Sequence, residues 1–424
     1  MYEIELPFIP DYSKMSATCF GVFAGTLFFD PVRLRNLKFH WYDVPVVVYC
    51  LAPLPSSLTN GLGLYDGVSG VVGHAIGTGM PYLVGRLYFR TAEDLRELAW
   101  AIFVAGVVYI PFCLFEMRMS PYLHYKVYGF HPGTHTNLWR FGGYRPVVFM
   151  RDGLQLSVWM MVASLTGCWL WWHGQLRRIA HLAPGLALTA LLVTTFLTRS
   201  MGALLLFVVG LAVLVAAKVT GSRLPIIALI LVPPAFVAIR TTGAVDWQVA
   251  VDVARLIEED RAMSLRGRFV NEDLLMEKAL QRPIFGWGGW GRNRVYDEYD
   301  EDQTITDGLW IIELGKRGFV GLVAIFAVLL MPLARLVANY PARRLLSGDL
   351  AAPLVLGICV VLYAIDCLPN CMPTPVYLVA AGAVTGMVPW AKSNEATGVE
   401  ESSSRNSTMN DGARVLPRQI GRRS

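Results

Sequence analysis

Arg266-Gly-Arg268, then Pro283-Ile-Phe-Gly286-Trp-Gly288-Gly-Trp-Gly291, then an acidic run ending at Thr306-Asp307-Gly308 mark the longest polar region of a chain that otherwise alternates apolar runs with brief turns. That contrast decides the fold. Of 424 residues, 54% are hydrophobic and 16% charged, with a mean hydropathy of +0.45, against roughly 25% charged in an ordinary soluble domain. Apolar windows long enough to cross a bilayer as helices, roughly 17–25 residues, occur about eleven times. They are centred near residues 22, 50, 75, 106, 163, 189, 210, 232, 327, 359 and 381. The expected fold is all-α: a polytopic transmembrane helical bundle of about eleven spans, with a large outer loop containing short amphipathic helices.

Four parts follow. Residues 1–240 hold the N-terminal spans and an outer loop near 118–152, residues 241–306 an outer loop, residues 307–390 the C-terminal spans, and residues 391–424 a tail too polar to bury a core. Trp41, Trp139, Trp171, Trp172, Trp310 and Trp390 sit where apolar runs meet polar loops, as expected at a bilayer interface. The net charge of +5 matters less than its distribution. Short loops carrying Arg33, Arg35 and Lys38, Arg86, Arg90 and Arg96, Arg177 and Arg178, Lys218 and Arg223, and Arg335, Arg343 and Arg344 all fall on one side, which the positive-inside tendency makes cytoplasmic. The N-terminus then lies outside and the disordered tail inside. Met1 to Lys14 lacks the basic start of a signal peptide, so the first span serves as the targeting signal. The seven scattered cysteines form no disulfide framework; Cys367 and Cys371 read as small buried hydrophobes. A bilayer is the expected environment, and no nucleic-acid partner is expected.

Two long loops face outward on this topology and are basic in places, against the tendency. The first, Arg118 to Asp152, contains His124, His131, His135, Arg140, Arg145 and Arg151. Arginines there ask for an anionic partner. In the second, Asp246 to Met263 has an amphipathic helical pattern. Arg266 and Arg268 precede a predicted helix over Phe269 to Leu280, ended by Pro283, and a guanidinium pair at a helix start is suited to phosphate. The same pair also reads as surface arginines held by Glu272 or Asp273. The glycines around Trp287 and Trp290 let backbone approach a ligand, and indole faces stack on sugar rings. Asp297 to Asp302 reads either as a solvated acidic face or as a cation site, the former being commoner.

Thr195-Phe-Leu-Thr-Arg199-Ser-Met-Gly202 puts one arginine between two apolar spans with almost no loop around it. At that depth an ionisable group is functional by default, the competing view being a side chain that snorkels to the headgroups. His131 and His135 are a weak metal pair, since Pro132 and Gly133 disfavour a helical arrangement. Pro233-Pro234 reads as a kink near the end of the eighth span.

Taken in order, the Thr-Arg199-Ser-Met-Gly turn, Gly267-Arg268, Pro283-Ile-Phe-Gly286-Trp-Gly288, and Asp307-Gly-Leu-Trp-Ile-Ile-Glu-Leu-Gly315-Lys-Arg-Gly318-Phe-Val-Gly321-Leu resemble the O-antigen ligase and O-antigen polymerase superfamily. The resemblance covers residues 190–390 well, and Arg140-Phe-Gly-Gly-Tyr-Arg145-Pro more loosely resembles the family's earlier outer loop. It implies an integral glycosyltransferase of the bacterial inner membrane with its active site outward. Such an enzyme moves glycan from a polyprenyl diphosphate-linked oligosaccharide to a sugar hydroxyl of a glycan or glycolipid acceptor, without metal or other cofactor. It implies Arg199 and Arg268 as diphosphate-binding residues, with Arg145 and Arg266 as second choices, and Asp307 as the catalytic base. The ligases usually carry a His where this chain has Thr306-Asp307, which shifts weight toward a polymerase or a ligase with another acceptor. The alternatives are a flippase or a non-catalytic binder of lipid-linked saccharides. Against a transporter, ionisable residues look scarce within the spans and no repeat pair of broken helices is visible.

Overall fold

In the computed structural model, which describes residues 4–6, 9–12, 14–131, 139–140, 142–243, 247–255, 259–372 and 374–387, the apolar runs are helical. Runs without polar side chains to satisfy the backbone satisfy it internally, and a helix does so within one segment. Each of the eleven window centres falls on a helical segment. Six helices are long and apolar enough to cross a membrane by length and composition: Ala92–Met119, Gly153–Trp172, Met201–Thr220, Leu224–Thr242, Leu309–Asn339 and Gly348–Asp366. Ala17–Phe29, Pro184–Leu197 and Pro375–Gly386 are shorter apolar helices. The remaining two windows are composite. Val44–Leu51 is followed by Pro53–Thr59, and Leu64–His74 continues through a π-helical turn, Ala75–Gly79, into Met80–Tyr88. Two short hairpins, Ile4–Leu6 with Ile9–Tyr12 and Trp139–Arg140 with Gly143–Tyr144, are the sheets among the described residues.

Local chemistry sets the ends. Thr91 and Asp94 cap Ala92–Met119 reciprocally, and the Asp152 carboxylate accepts from the N–H groups of Leu154 and Gln155 at the start of Gly153–Trp172. Left-handed Gly221 and Gly243 close Met201–Thr220 and Leu224–Thr242. Pro233 and Pro234 lie at the middle of Leu224–Thr242, not near its end, because the helix runs on to place Arg240 among acidic partners.

Gly153–Trp172 and Gly348–Asp366 are 83% buried over their apolar windows, whereas Met201–Thr220 and Leu224–Thr242 are 28% and 22% buried. The first two are therefore the core and the second two its apolar exterior. Small residues allow the closest crossings: Gly85 and Gly382 each lie against the facing helix backbone, where a Cβ would overlap a carbonyl.

The basic loops are joined at one end. Arg33 donates to the Leu87 carbonyl, Arg86 pairs with buried Asp43 at 2.9 Å, and Arg177 pairs with Glu97 at 2.6 Å. Lys218 donates to the Leu346 carbonyl, Arg223 to that of Val337 and Arg335 to that of Thr385. The tail at 391–424 and Trp390 lie outside the described residues, as do Met1–Glu3, Pro7, Phe8, Ser13, His135 and residues 246 and 256–258 of the amphipathic stretch.

Candidate functional site

The Leu309–Asn339 helix is broken once. Gly318 adopts φ +63° and ψ −162° inside it, so backbone groups on both sides lose their helical partners. The Gly-Trp loop supplies new ones. Trp287 and Gly288 N–H groups donate to the carbonyls of Gly315 and Lys316 at 2.8 and 3.0 Å, while those of Phe319 and Val320 donate to Pro283 and Ile284 carbonyls at 2.7 and 3.3 Å. The Ser56 hydroxyl also donates to the Lys316 carbonyl at 2.7 Å. Each such bond contributes a net of about 0.5–1.5 kcal/mol where water competes, and more where it does not. Gly286, at φ +66°, and Gly318 pass so close to the facing backbone that neither tolerates a Cβ. Asn60 holds the loop from its far side, donating to the Gly286 carbonyl at 2.8 Å and accepting from Arg282 at 2.6 Å.

The two tryptophans consequently differ. Trp287 donates its indole N–H to the Lys278 carbonyl at 2.7 Å, with Lys278 and Arg282 lying 4.3 and 4.5 Å from its ring centroid. It is a clamp within the protein. Trp290 is 80% exposed, at φ +61°, and borders a cavity of about 260 Å³.

Opposite Trp290 the cavity wall includes Asp66, His74, Lys316 and Arg317. Behind it, Arg317 pairs with buried Glu313 at 2.6 Å, and Tyr49 donates to the other Glu313 oxygen at 3.1 Å. The His74 Nε2 lies 2.5 Å from Arg317, which has only hydrogens to offer, so Nε2 accepts and Nδ1 donates to the Tyr49 carbonyl at 3.1 Å. Removing one member of such a buried pair costs about 3–5 kcal/mol. Sequence reasoning missed Tyr49, His74, Glu313 and Lys316. The signal was there: charged side chains clustered in the first nine residues of Leu309–Asn339, at the end of an apolar run. The single break at Gly318 is a feature the sequence reading did not anticipate.

A second assembly surrounds the turn at 367–372. The Leu309 N–H donates to the Cys367 carbonyl at 2.9 Å, and Gly308 packs against Leu368, so Asp307 sits beside this turn. Arg268 donates to the Pro369 carbonyl at 3.2 Å. Buried Asp366 lies within electrostatic reach of Asp152 and Arg145, and Gln155 donates to the Thr374 hydroxyl at 2.9 Å. Arg145 is 5% exposed, its stem packed on Gly153; the segment after it is fixed by Glu116, which accepts from the N–H groups of Val147 and Val148 at 2.7 Å each. Arg199 packs against Gly143, two residues before Arg145. It holds φ +58°, a conformation costing a non-glycine residue about 1–3 kcal/mol, between Pro184–Leu197 and Met201–Thr220. Arg145, Arg199, Arg268 and Asp307 are thus linked by one chain of contacts.

Some expectations change. The helix predicted to start at Phe269 starts at Glu259 and runs to Leu280, so Arg266 and Arg268 lie within it and gain nothing from a helix N-terminus. Two positions apart, they point about 200° away from each other; Arg266 is exposed and Arg268 partly covered. Glu272 and Asp273 pair with Arg240, at 3.2 and 2.9 Å, in place of these arginines. Burial pushes the Glu272 carboxyl up against the pull of Arg240. Asp307 is exposed, and Trp310 turns away from it into the core against Phe236. The acidic run folds on itself: Asp297 accepts from the N–H groups of Tyr299 and Glu301, and Asp302 pairs with Arg294. Burial alone would raise the Asp302 carboxyl, but hydrogen bonds from Thr304 and Arg294 hold it below its ordinary value. Among the described residues no group of three or more His, Cys, Asp and Glu side chains is arranged to hold a metal. Cys367 and Cys371 are free thiols, the latter pushed up to about 11 by burial and then by the charge of Glu313.

No protein-family model matches the chain, and no curated protein matches it. The site must be read from its own geometry.

Proposed function

We infer that the chain is a membrane glycosyltransferase of the O-antigen ligase or polymerase type, with eleven spans, its basic loops cytoplasmic and the arginine assembly outward. The observation that carries this reading is the linkage of Arg145, Arg199 and Arg268 to the turn beside Asp307. The transferred glycan leaves a lipid diphosphate, and fixed guanidinium groups stabilise the charge that develops on that leaving group. The acceptor hydroxyl oxygen attacks the anomeric carbon, the carbon–oxygen bond to the diphosphate breaks with its electron pair going to the phosphate, and Asp307 takes the hydroxyl proton. In-line attack inverts the anomeric centre. Resident in the bacterial inner membrane, the enzyme takes a polyprenyl diphosphate-linked oligosaccharide as donor and a glycan or glycolipid as acceptor.

A second reading, a flippase for the same lipid-linked saccharides, draws support from the break at Gly318 and the buried charges beside it. One experiment separates the two. Purified protein in liposomes receives polyprenyl diphosphate oligosaccharide and acceptor; longer glycan is the expected product, and carrier movement without product overturns the transferase reading.

A further inference from the structure

Lys316 borders two cavities, not one. The first, of about 260 Å³, lies between Trp290 and the helix break and includes Asp66, Ser56 and Ser69 in its wall. The second, of about 290 Å³, is bounded by Asn293, Arg294, Tyr296 and Thr306, the last adjoining Asp307. The arginine assembly reaches Asp307 through its other chain neighbour, Gly308, and the turn at 367–372. Asp307 therefore adjoins the second cavity through Thr306 and the diphosphate-suited region through Gly308.

Resting on the glycosyltransferase reading, we propose that these two cavities hold consecutive sugar units of the acceptor glycan, the one nearer Thr306 presenting its hydroxyl to Asp307. Size, charge and shape carry the assignment. The first cavity has the volume of about nine liquid waters, enough for the twelve heavy atoms of one hexose. Its formal charges balance: Glu313 pairs with Arg317, leaving Lys316 and Asp66 as a cation and an anion on one wall. A carboxylate accepts from sugar hydroxyls and an ammonium donates to them, whereas a diphosphate would meet the repulsion of Asp66. Trp290 supplies the exposed indole on which an apolar sugar face stacks. Its left-handed backbone, between Gly289 and Gly291, belongs to the same loop that the helix break anchors, so the backbone carrying the stacking ring is held near Lys316. The ligand class is a neutral pyranose chain of two or more units.

The test uses the full chain in detergent on an array of defined neutral and acidic oligosaccharides, with a transfer assay beside it. Wild type binds neutral oligosaccharides; Ser69→Trp, which fills the cavity from an exposed position, and Asp66→Ala each reduce retained glycan at least tenfold, while Arg268→Ala retains it. In the transfer assay the acceptor KM rises at least tenfold in Asp66→Ala, with the donor KM and the rate at saturating acceptor close to wild type. Glycan binding unchanged in both variants, absence of binding by wild type, or selective binding of acidic glycans overturns the proposal. If the wild type binds glycan through this cavity yet forms no product, the saccharide site stands and the transferase reading falls.

Discussion

Two segments dock on the Leu309–Asn339 helix, and they do so differently. Residues 283–291 meet its break through paired backbone bonds in both directions, with Asn60 and Ser56 reinforcing the contact. The turn at 367–372 meets its first residue through the Leu309 N–H and presents Pro369 to Arg268, while Asp366, just before it, lies within electrostatic reach of Arg145. The first junction is a lock, closed by main chain and intolerant of side chains. The second is a mouth, with exposed Asp307 and half-buried Arg199 and Arg268 around it. The most conspicuous glycines in the sequence thus mark the lock, and the arginine assembly lies beside it.

That contrast can be broken most severely at Gly318. A valine there meets both a positive φ and the Ile284 carbonyl, and should cost about 3 kcal/mol or more. The expected outcome is loss of the monodisperse peak in detergent size exclusion; a normal elution profile would show that the break needs no lock. Next come the mouth arginines. Arg268→Ala and Arg199→Ala should each lower transfer by about 10²–10³-fold with unchanged elution, and Arg266→Ala, on the exposed face, should lose much less. Wild-type rates in either of the first two would remove the diphosphate assignment.

Asp307→Asn is expected to lower the rate by about 10²-fold. The loss should appear in the rate at saturating donor and acceptor; an unchanged rate would rule out the base. Smallest is the difference between the tryptophans. Trp287→Ala should lower stability by about 1–3 kcal/mol through its lost indole bond and ring contacts, measured as detergent thermal shift. Trp290→Ala should change it by less than about 0.5 kcal/mol. Equal shifts would erase the distinction between clamp and platform.

The helices were legible because apolar length is a one-dimensional signal: every window from residue 22 to residue 381 lands on one. The gathering of basic loops at one end was legible for the same reason. Arg145, Arg199, Arg268 and Asp307 were found by chemical type and by resemblance, but their linkage runs through the Pro369 carbonyl and the Gly143 backbone, which carry no side-chain signature. The start at Glu259 was missed because Gly267 reads as a breaker, yet one glycine costs a helix only about 1 kcal/mol. The internal bond of Trp287 to Lys278 was not legible, because a ligand and a facing backbone demand the same glycines. The cavity at Lys316 was hidden for another reason: Asp66 and His74 share one helix, but Trp290 and Lys316 come from distant stretches that join it at the helix break.

The broken helix also sets an order of assembly. Leu309–Asn339 enters the bilayer carrying Glu313, Lys316 and Arg317, charges that an isolated span bears at high cost. Their partners are made first: Tyr49 precedes Glu313 by 264 residues and His74 precedes Arg317 by 243. At ribosomal elongation rates that is a lead of about 10–50 s, and the 283–291 segment follows just ahead of the helix it will fasten. Synthesis from the N-terminus thus delivers receptor, fastener and charged helix in the sequence in which each is needed, so a circular permutation that emits Leu309–Asn339 first would strand those charges in lipid.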